Sequence, residues 1–263
     1  MRRDVRIPIL VYHRVSEDAA LTMKDEADFY TVNSRELRKQ LQHLSDNGYT
    51  AISLESLLQG DNMPDKPVVI TFDDGDISNY NIAWPLLKEL GLKASFFLIV
   101  RNIGTEGSLS FEQISRMRES GMEFGSHGLT HRFLTKLDKD ILINELENSK
   151  DILSKQLGVP IDILSVPGGF YNSRVKKTIR SCGYRIACTS IQGVNNAGTD
   201  LLCLKRIAIR GDTDFEKFKS LLAMPDFAFL FKRFEANSRS VLKKIIGIRN
   251  YTLLKERLIG VKR

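Results

Sequence analysis

The sequence predicts a parallel α/β fold with a basic C-terminal helical extension. Two residue-level observations point to a parallel α/β protein. Short apolar runs alternate with longer amphipathic ones, and glycines follow the amphipathic runs where helices should stop. A third observation says where chemistry would collect: the polar motifs fall directly after apolar runs, at the C-terminal ends of strands.

Taken in order, IPILVY reads as a strand and SRELRKQLQHLSDNGY as a helix, with Ser34 as its N-cap and Gly48 after its end. KPVVITF is the next strand, YNIAWPLLKELG a helix closed by Gly91, KASFFLIV a strand, and SFEQISRMRESG a helix closed by Gly121. A long helix over KDILINELENSKDILSKQLG precedes the strand ILSVP, the helix SRVKKTIRSCG, and the strands YRIACTS and LKRIAIR. No Pro- or Gly-rich linker interrupts the first 215 residues, which gives one domain over 1–215 and a basic extension over 216–263.

The 263 residues are 42% hydrophobic, enough for a full core. Cys182, Cys188 and Cys203 form no CxxC pair and leave one over if two were bridged. Neither a disulfide framework nor a thiolate metal site is expected, and a reducing compartment fits best. The apolar run at residues 7–12 is broken by Pro8 and lacks a cleavage site, and no stretch approaches a spanning helix. A cytoplasmic protein is expected, held at most on the inner face of the membrane.

The formal charge of +7 is local. Residues 232–263 hold ten Lys or Arg against Glu235 and Glu256, and the rest of the chain is close to neutral. That excludes a general nucleic-acid-binding surface. With Phe227, Phe229, Phe231 and Phe234 just before or within it, the basic tail fits either an anionic membrane surface or helices packed with a solvated basic face.

Three stretches carry candidate chemistry. VVITF runs into Asp73, Asp74 and Gly75. Neighbouring strand residues point to opposite faces, so both carboxylates serve one site only where the strand breaks, which Gly75 permits; a solvated Asp-Asp-Gly turn is the plain alternative. In FGSHGLTHRFL, His127 and His131 stand four apart, a spacing that can present two imidazoles to one metal from a helical turn. Asp74 would complete a His, His, Asp set with a position open to water. In ILSVPGGFYNS, Pro167, Gly168 and Gly169 follow a strand, either to bring a backbone N–H to a ligand or simply to turn into the helix near Ser173.

TFDDG at 71–75, SHGLTH at 126–131 and PGG at 167–169, in that order, resemble the polysaccharide deacetylases of the NodB-homology type, also called carbohydrate esterase family 4. The resemblance covers about four fifths of the chain, from PILVYHRV to Asp214. It implies a distorted (β/α)7 barrel that removes acetyl groups from N-acetylated sugars with one divalent metal, zinc or else nickel or cobalt. Carried over, Asp73 resembles the catalytic base, Asp74, His127 and His131 the metal ligands, and Gly168 the oxyanion N–H donor.

The sequence departs from the commonest family pattern at three places. The late strand LKRIAIRGD has Arg210 where a catalytic histidine is usual, and an arginine cannot give up and regain a proton. Ser165 stands where an arginine usually precedes the motif proline, and the acidic and tryptophan element is not visible around ACTSIQGVN. A circularly permuted subset, which includes the poly-N-acetylglucosamine deacetylases, begins with the strand that others place last. ILVYHRV resembles that variant, which makes His13 the acid; His43, on a helix, is expected to pack or lie on the surface.

The expected function is hydrolysis of the N-acetyl group of an amino sugar in a cell-surface polysaccharide or glycan precursor, with a lipid-linked sugar as one possible form. The alternatives are a deformylase or amidase on a related acylated amine, and a glycan- or membrane-binding barrel without turnover.

Overall fold

In the computed structural model, residues 5–17, 29–59, 63–225 and 228–229 are described. The chain divides into two units, Met1–Ala223 and Met224–Arg263. The basic tail lies outside the described residues. The first unit ends one helix later than the expected boundary at 215, because the helix Phe215–Ala223 buries Phe218 and Leu222.

Among the described residues ten strands are numbered in chain order: β1 (Ile9–Tyr12), β2 (Arg14–Ser16), β3 (Thr31–Asn33), β4 (Thr50–Ala51), β5 (Pro67–Phe72), β6 (Ser95–Leu98), β7 (Glu123–Ser126), β8 (Ile163–Ser165), β9 (Ile186–Gln192) and β10 (Leu204–Ala208). The helices are α1 (Ser34–Asp46), α2 (Ser56–Gln59), α3 (Trp84–Glu89), α4 (Phe111–Glu119), α5 (Lys139–Leu157), α6 (Ser173–Ser181) and α7 (Phe215–Ala223). Every pairing between these strands is parallel, in the order β1-β10-β9-β8-β7-β6-β5, and β5 returns to β1, which closes a seven-stranded barrel as expected. β4 adds to the start of β5, and β2 pairs with β3 outside the barrel; these three short strands were not foreseen.

Helix punctuation differs slightly from expectation. Asn33, not Ser34, caps α1, its side chain accepting from the Arg35 N–H, and Gly48, Gly91 and Gly121 take left-handed φ after α1, α3 and α4. The run YNIAWPLLKELG opens with a π turn at Asn79–Ala83 before α3, where Pro85 sits at the helix start.

Strand alternation sorts the barrel. Ile9, Val69, Phe97, Ile163, Ile186 and Leu204 come from six strands at matching parity and pack together as the core of the barrel interior. Gly125 leaves the room they need: a Cβ there would lie 2.5 Å from Ile163 and 2.8 Å from the Phe97 ring. The opposite parity carries the stacked rings Tyr12, Phe72, Phe96 and Phe124, with centroids 5.0 to 5.6 Å apart along the series. Continuing the inward parity toward the strand ends reaches Val11 and His13, Thr71 and Asp73, His127, Ser165, and Arg206, Ala208 and Arg210. The face that is apolar at one end of the barrel is therefore polar at the other.

Candidate active site

Asp73 follows β5 and is buried, with its N–H donating to the Tyr12 carbonyl at 2.9 Å. The break that turns Asp74 onto the same side begins one residue earlier than expected. Asp74 itself has φ 73°, a left-handed conformation uncommon for a residue with a Cβ, and Gly75 continues it at φ 73°.

His127 follows β7 and is also buried. Its Nδ1 lies 2.8 Å from the Ser165 carbonyl, which only accepts, so Nδ1 carries a hydrogen and Nε2 is the ring nitrogen turned toward Asp74. The HxxxH segment is not the helical turn its spacing suggested. It is a loop in which His131 takes φ 60° and brings its ring to 4.8 Å from that of His127, centroid to centroid. The loop is clamped by Glu145 of α5, a buried carboxylate that accepts from the Leu129 and Thr130 N–H groups at 2.9 Å and from the Thr130 hydroxyl. Nothing in the α5 sequence singles out Glu145.

The Nε2 atoms of His127 and His131 stand 3.4 and 3.6 Å from Asp74 Oδ1. One ligand atom from each residue lies within 4.8 Å of the others, and Asp74 Oδ1 is buried with no hydrogen-bond partner. An unpartnered carboxylate oxygen facing two imidazole nitrogens fits a divalent cation, and the left-handed backbones of Asp74 and His131 turn their side chains to one side at a conformational cost.

The sequence reading missed Arg206. From β10, its guanidinium donates from NH1 to Asp73 Oδ1 and from NH2 to Asp73 Oδ2, both at 2.8 Å, and from NH2 to the Ser165 hydroxyl at 2.9 Å. The Ser165 hydroxyl in turn donates to Asp73 Oδ2 at 2.9 Å. Burial alone would raise the Asp73 pKa, but the charge of Arg206, then that of His127, and the Arg206 hydrogen bonds hold it well below the usual carboxylate range. Ser165 thus leaves the space that Arg206 fills from another strand. The available signal was alternation: in LKRIAIR, Arg206 shares its face with Leu204, a charge directed into the barrel.

His13 sits at the end of β1, beside Asp73 because the Tyr12↔Phe72 register aligns the two strand ends. Asn79 donates to the His13 carbonyl at 2.8 Å, and the ring rests on Tyr30 with centroids 4.6 Å apart. Its Nδ1 is buried without a partner, and burial lowers the imidazole pKa against the opposing pull of Asp73 and Asp74. Gly168 lies at φ 62° in the turn Pro167–Gly169 ahead of α6, and a Cβ on it would meet the Phe133 ring at 2.5 Å. His13, Asp73, Asp74, His127, His131 and Gly168 all line one cleft of about 1090 Å³.

Of three other residues, His43 and Asp212 are not among those lining the cleft and Arg210 is. His43 packs edge-on to Phe215 and Phe218, as expected of a packing residue. Arg210 lines the cleft, whereas Asp212 pairs with Lys217.

Residues 60–187 match the polysaccharide deacetylase family. The Bacillus subtilis (strain 168) protein YxkH is 30% identical over 211 residues, which cover 79% of this chain and 72% of that protein. The poly-β-1,6-N-acetyl-D-glucosamine N-deacetylase of Staphylococcus epidermidis is 27% identical over 227 residues, 77% of this chain and 78% of that protein. Among solved structures, the Streptococcus pyogenes deacetylase PplD in complex with acetate superposes with a TM-score of 0.76 at 30% identity, covering 84% of this chain and 99% of that one.

Proposed function

From the premise that the chain belongs to the polysaccharide deacetylase family, as a hydrolase acting on N-acetylated amino sugars, we propose a metal-dependent de-N-acetylation of a cell-surface glycan or its precursor. The observation that carries this reading is the convergence of Asp74, His127 and His131 beside an Asp73 locked by Arg206 in one cleft.

Asp74, His127 and His131 would hold one divalent metal, with zinc suited to two imidazoles and a carboxylate. Such an ion supplies polarisation of the amide carbonyl and acidification of a water molecule. Asp73, kept ionised by Arg206, accepts the proton of the attacking water. The two hydrogen bonds from Arg206 and the one from Ser165 fix the carboxylate plane, so the base keeps its direction through the reaction. The Gly168 N–H helps hold the developing oxyanion. His13 donates the proton that lets the sugar amine leave, since an amide nitrogen is a poor leaving group without one.

The test is acetate release from N-acetylated oligosaccharides by the metal-loaded protein. Activity that vanishes on chelation and returns with zinc supports the reading; turnover indifferent to chelation defeats it. Formyl and other acyl amides run in parallel separate deacetylation from the deformylase or amidase alternative. The excess of cations over 232–263 supports peripheral contact with the inner face of a membrane, where a lipid-linked sugar is one form of the substrate.

A further inference from the structure

The cleft is more basic than de-N-acetylation of a neutral sugar requires. Its lining includes Arg14, Arg132, Lys136, Arg206 and Arg210 against only Asp73 and Asp74 as carboxylates. Arg206 is committed to Asp73, and Arg14 pairs with Asp76 at 3.0 Å. Arg132, Lys136 and Arg210 have no carboxylate partner among the described residues.

Two of these three cations, Lys136 and Arg210, are set on aromatic rings. Lys136 Nζ lies 5.2 Å from the centroid of the Phe133 ring, and Phe133 meets Phe170 edge-on at 5.0 Å. Phe133 and Phe170 are 38% and 55% exposed, an apolar rim of the kind that covers the carbon face of a sugar. Arg210 stacks over Phe29 at 4.7 Å, and its Nε is buried with no acceptor. A buried guanidinium N–H without a partner costs free energy that an incoming anionic oxygen would recover.

We propose that the substrate carries an anionic group, phosphate or carboxylate, next to the sugar that loses its acetyl, and that Arg132, Lys136 and Arg210 receive it. This inference rests on the deacetylase reading and narrows its substrate class. It also gives the rim a second effect. The amine formed by hydrolysis is a cation, which a positive cleft repels.

Matched pairs of substrates test it with the full-length, metal-loaded protein. One pair is methyl N-acetylglucosaminide against N-acetylglucosamine 1-phosphate. The other is N,N′-diacetylchitobiose against a disaccharide of N-acetylglucosamine and a uronic acid. The charged member of at least one pair is expected to show a kcat/KM about tenfold higher at low salt. That preference should fade as NaCl rises from about 0.05 to about 0.5 M. Arg132→Gln with Lys136→Gln, and separately Arg210→Gln, should pull the ratio toward one, and which pair responds separates phosphate from carboxylate. Ratios near one in both pairs, or a preference untouched by these substitutions, overturn the proposal.

If no member of either pair releases acetate, the deacetylase reading fails by itself. Calorimetric titration of the same four compounds then decides the anion question: tighter binding of charged members sustains it, and equal affinities overturn it.

Discussion

Arg206 and Asp73 meet through two hydrogen bonds of 2.8 Å although their strands are not neighbours, since β1 runs between β10 and β5. The pair spans the barrel interior over the first strand of the chain. Both partners are almost fully buried. The contact therefore ties the last barrel strand in the sequence to the proposed base, and its loss leaves a carboxylate uncompensated inside the protein.

Replacing Arg206 by Met should destabilise the protein by about 3–5 kcal/mol, read from the urea midpoint. The pH dependence gives the sign. Asp73 is depressed in the folded state, so its stabilisation is present above its unfolded pKa of about 3.9 and is lost as pH falls below that toward the folded value. Wild type should lose stability over that acid range more steeply than Arg206→Met. Parallel curves for the two proteins would mean that the ion pair does not set the Asp73 titration.

Asp74→Asn and His131→Ala should each abolish stoichiometric zinc binding, whereas Asp73→Asn should retain it, as measured by metal analysis after dialysis. Burial, and after it the neighbouring His127 charge, lowers the His131 pKa from its ordinary 6.5. A ligand must be deprotonated to bind, so wild-type affinity should be flat above about pH 6.5 and weaken only below it. A decline that begins well above pH 7 would contradict the site.

His13→Ala should lower kcat for an N-acetyl sugar by about 10²–10⁴-fold with metal content unchanged. The deficit should shrink greatly with p-nitrophenyl acetate, whose leaving group needs no proton. An equal loss on both substrates would mark His13 as a structural residue rather than the acid.

Gly125→Ala should cost about 1–3 kcal/mol without changing the metal site, because the new methyl overlaps Ile163 and Phe97 in the barrel interior. Thermal unfolding reads it. An unchanged melting temperature would show that the interior can yield there.

The full chain should sediment with vesicles containing about 30% anionic lipid at about 0.05 M NaCl and be released at about 0.5 M, since exposed charges are screened beyond a few ångströms. Equal binding to uncharged vesicles would assign the contact to the phenylalanines instead.

Much of the fold and site was local, and so readable. Runs such as PVVITF and SFFL are buried on both faces, as strands of a covered parallel sheet are, and TFDDG, SHGLTH and PGG each sit at one strand end. The sequence by itself determined the parallel α/β class, the helix stops at Gly48, Gly91 and Gly121, and the strand-end motifs that carry Asp73, Asp74, His127 and His131. Only the tertiary structure decided what depends on ring closure. Pairing β1 with both β5 and β10 set His13 beside Asp73 and let Arg206 reach across to fill the space left by Ser165. Such a contact spans 133 residues of sequence, and no local propensity encodes it. Packing decided the HxxxH loop as well: Glu145 of α5 clamps its backbone, so the histidines converge through a left-handed His131 rather than through a helical turn.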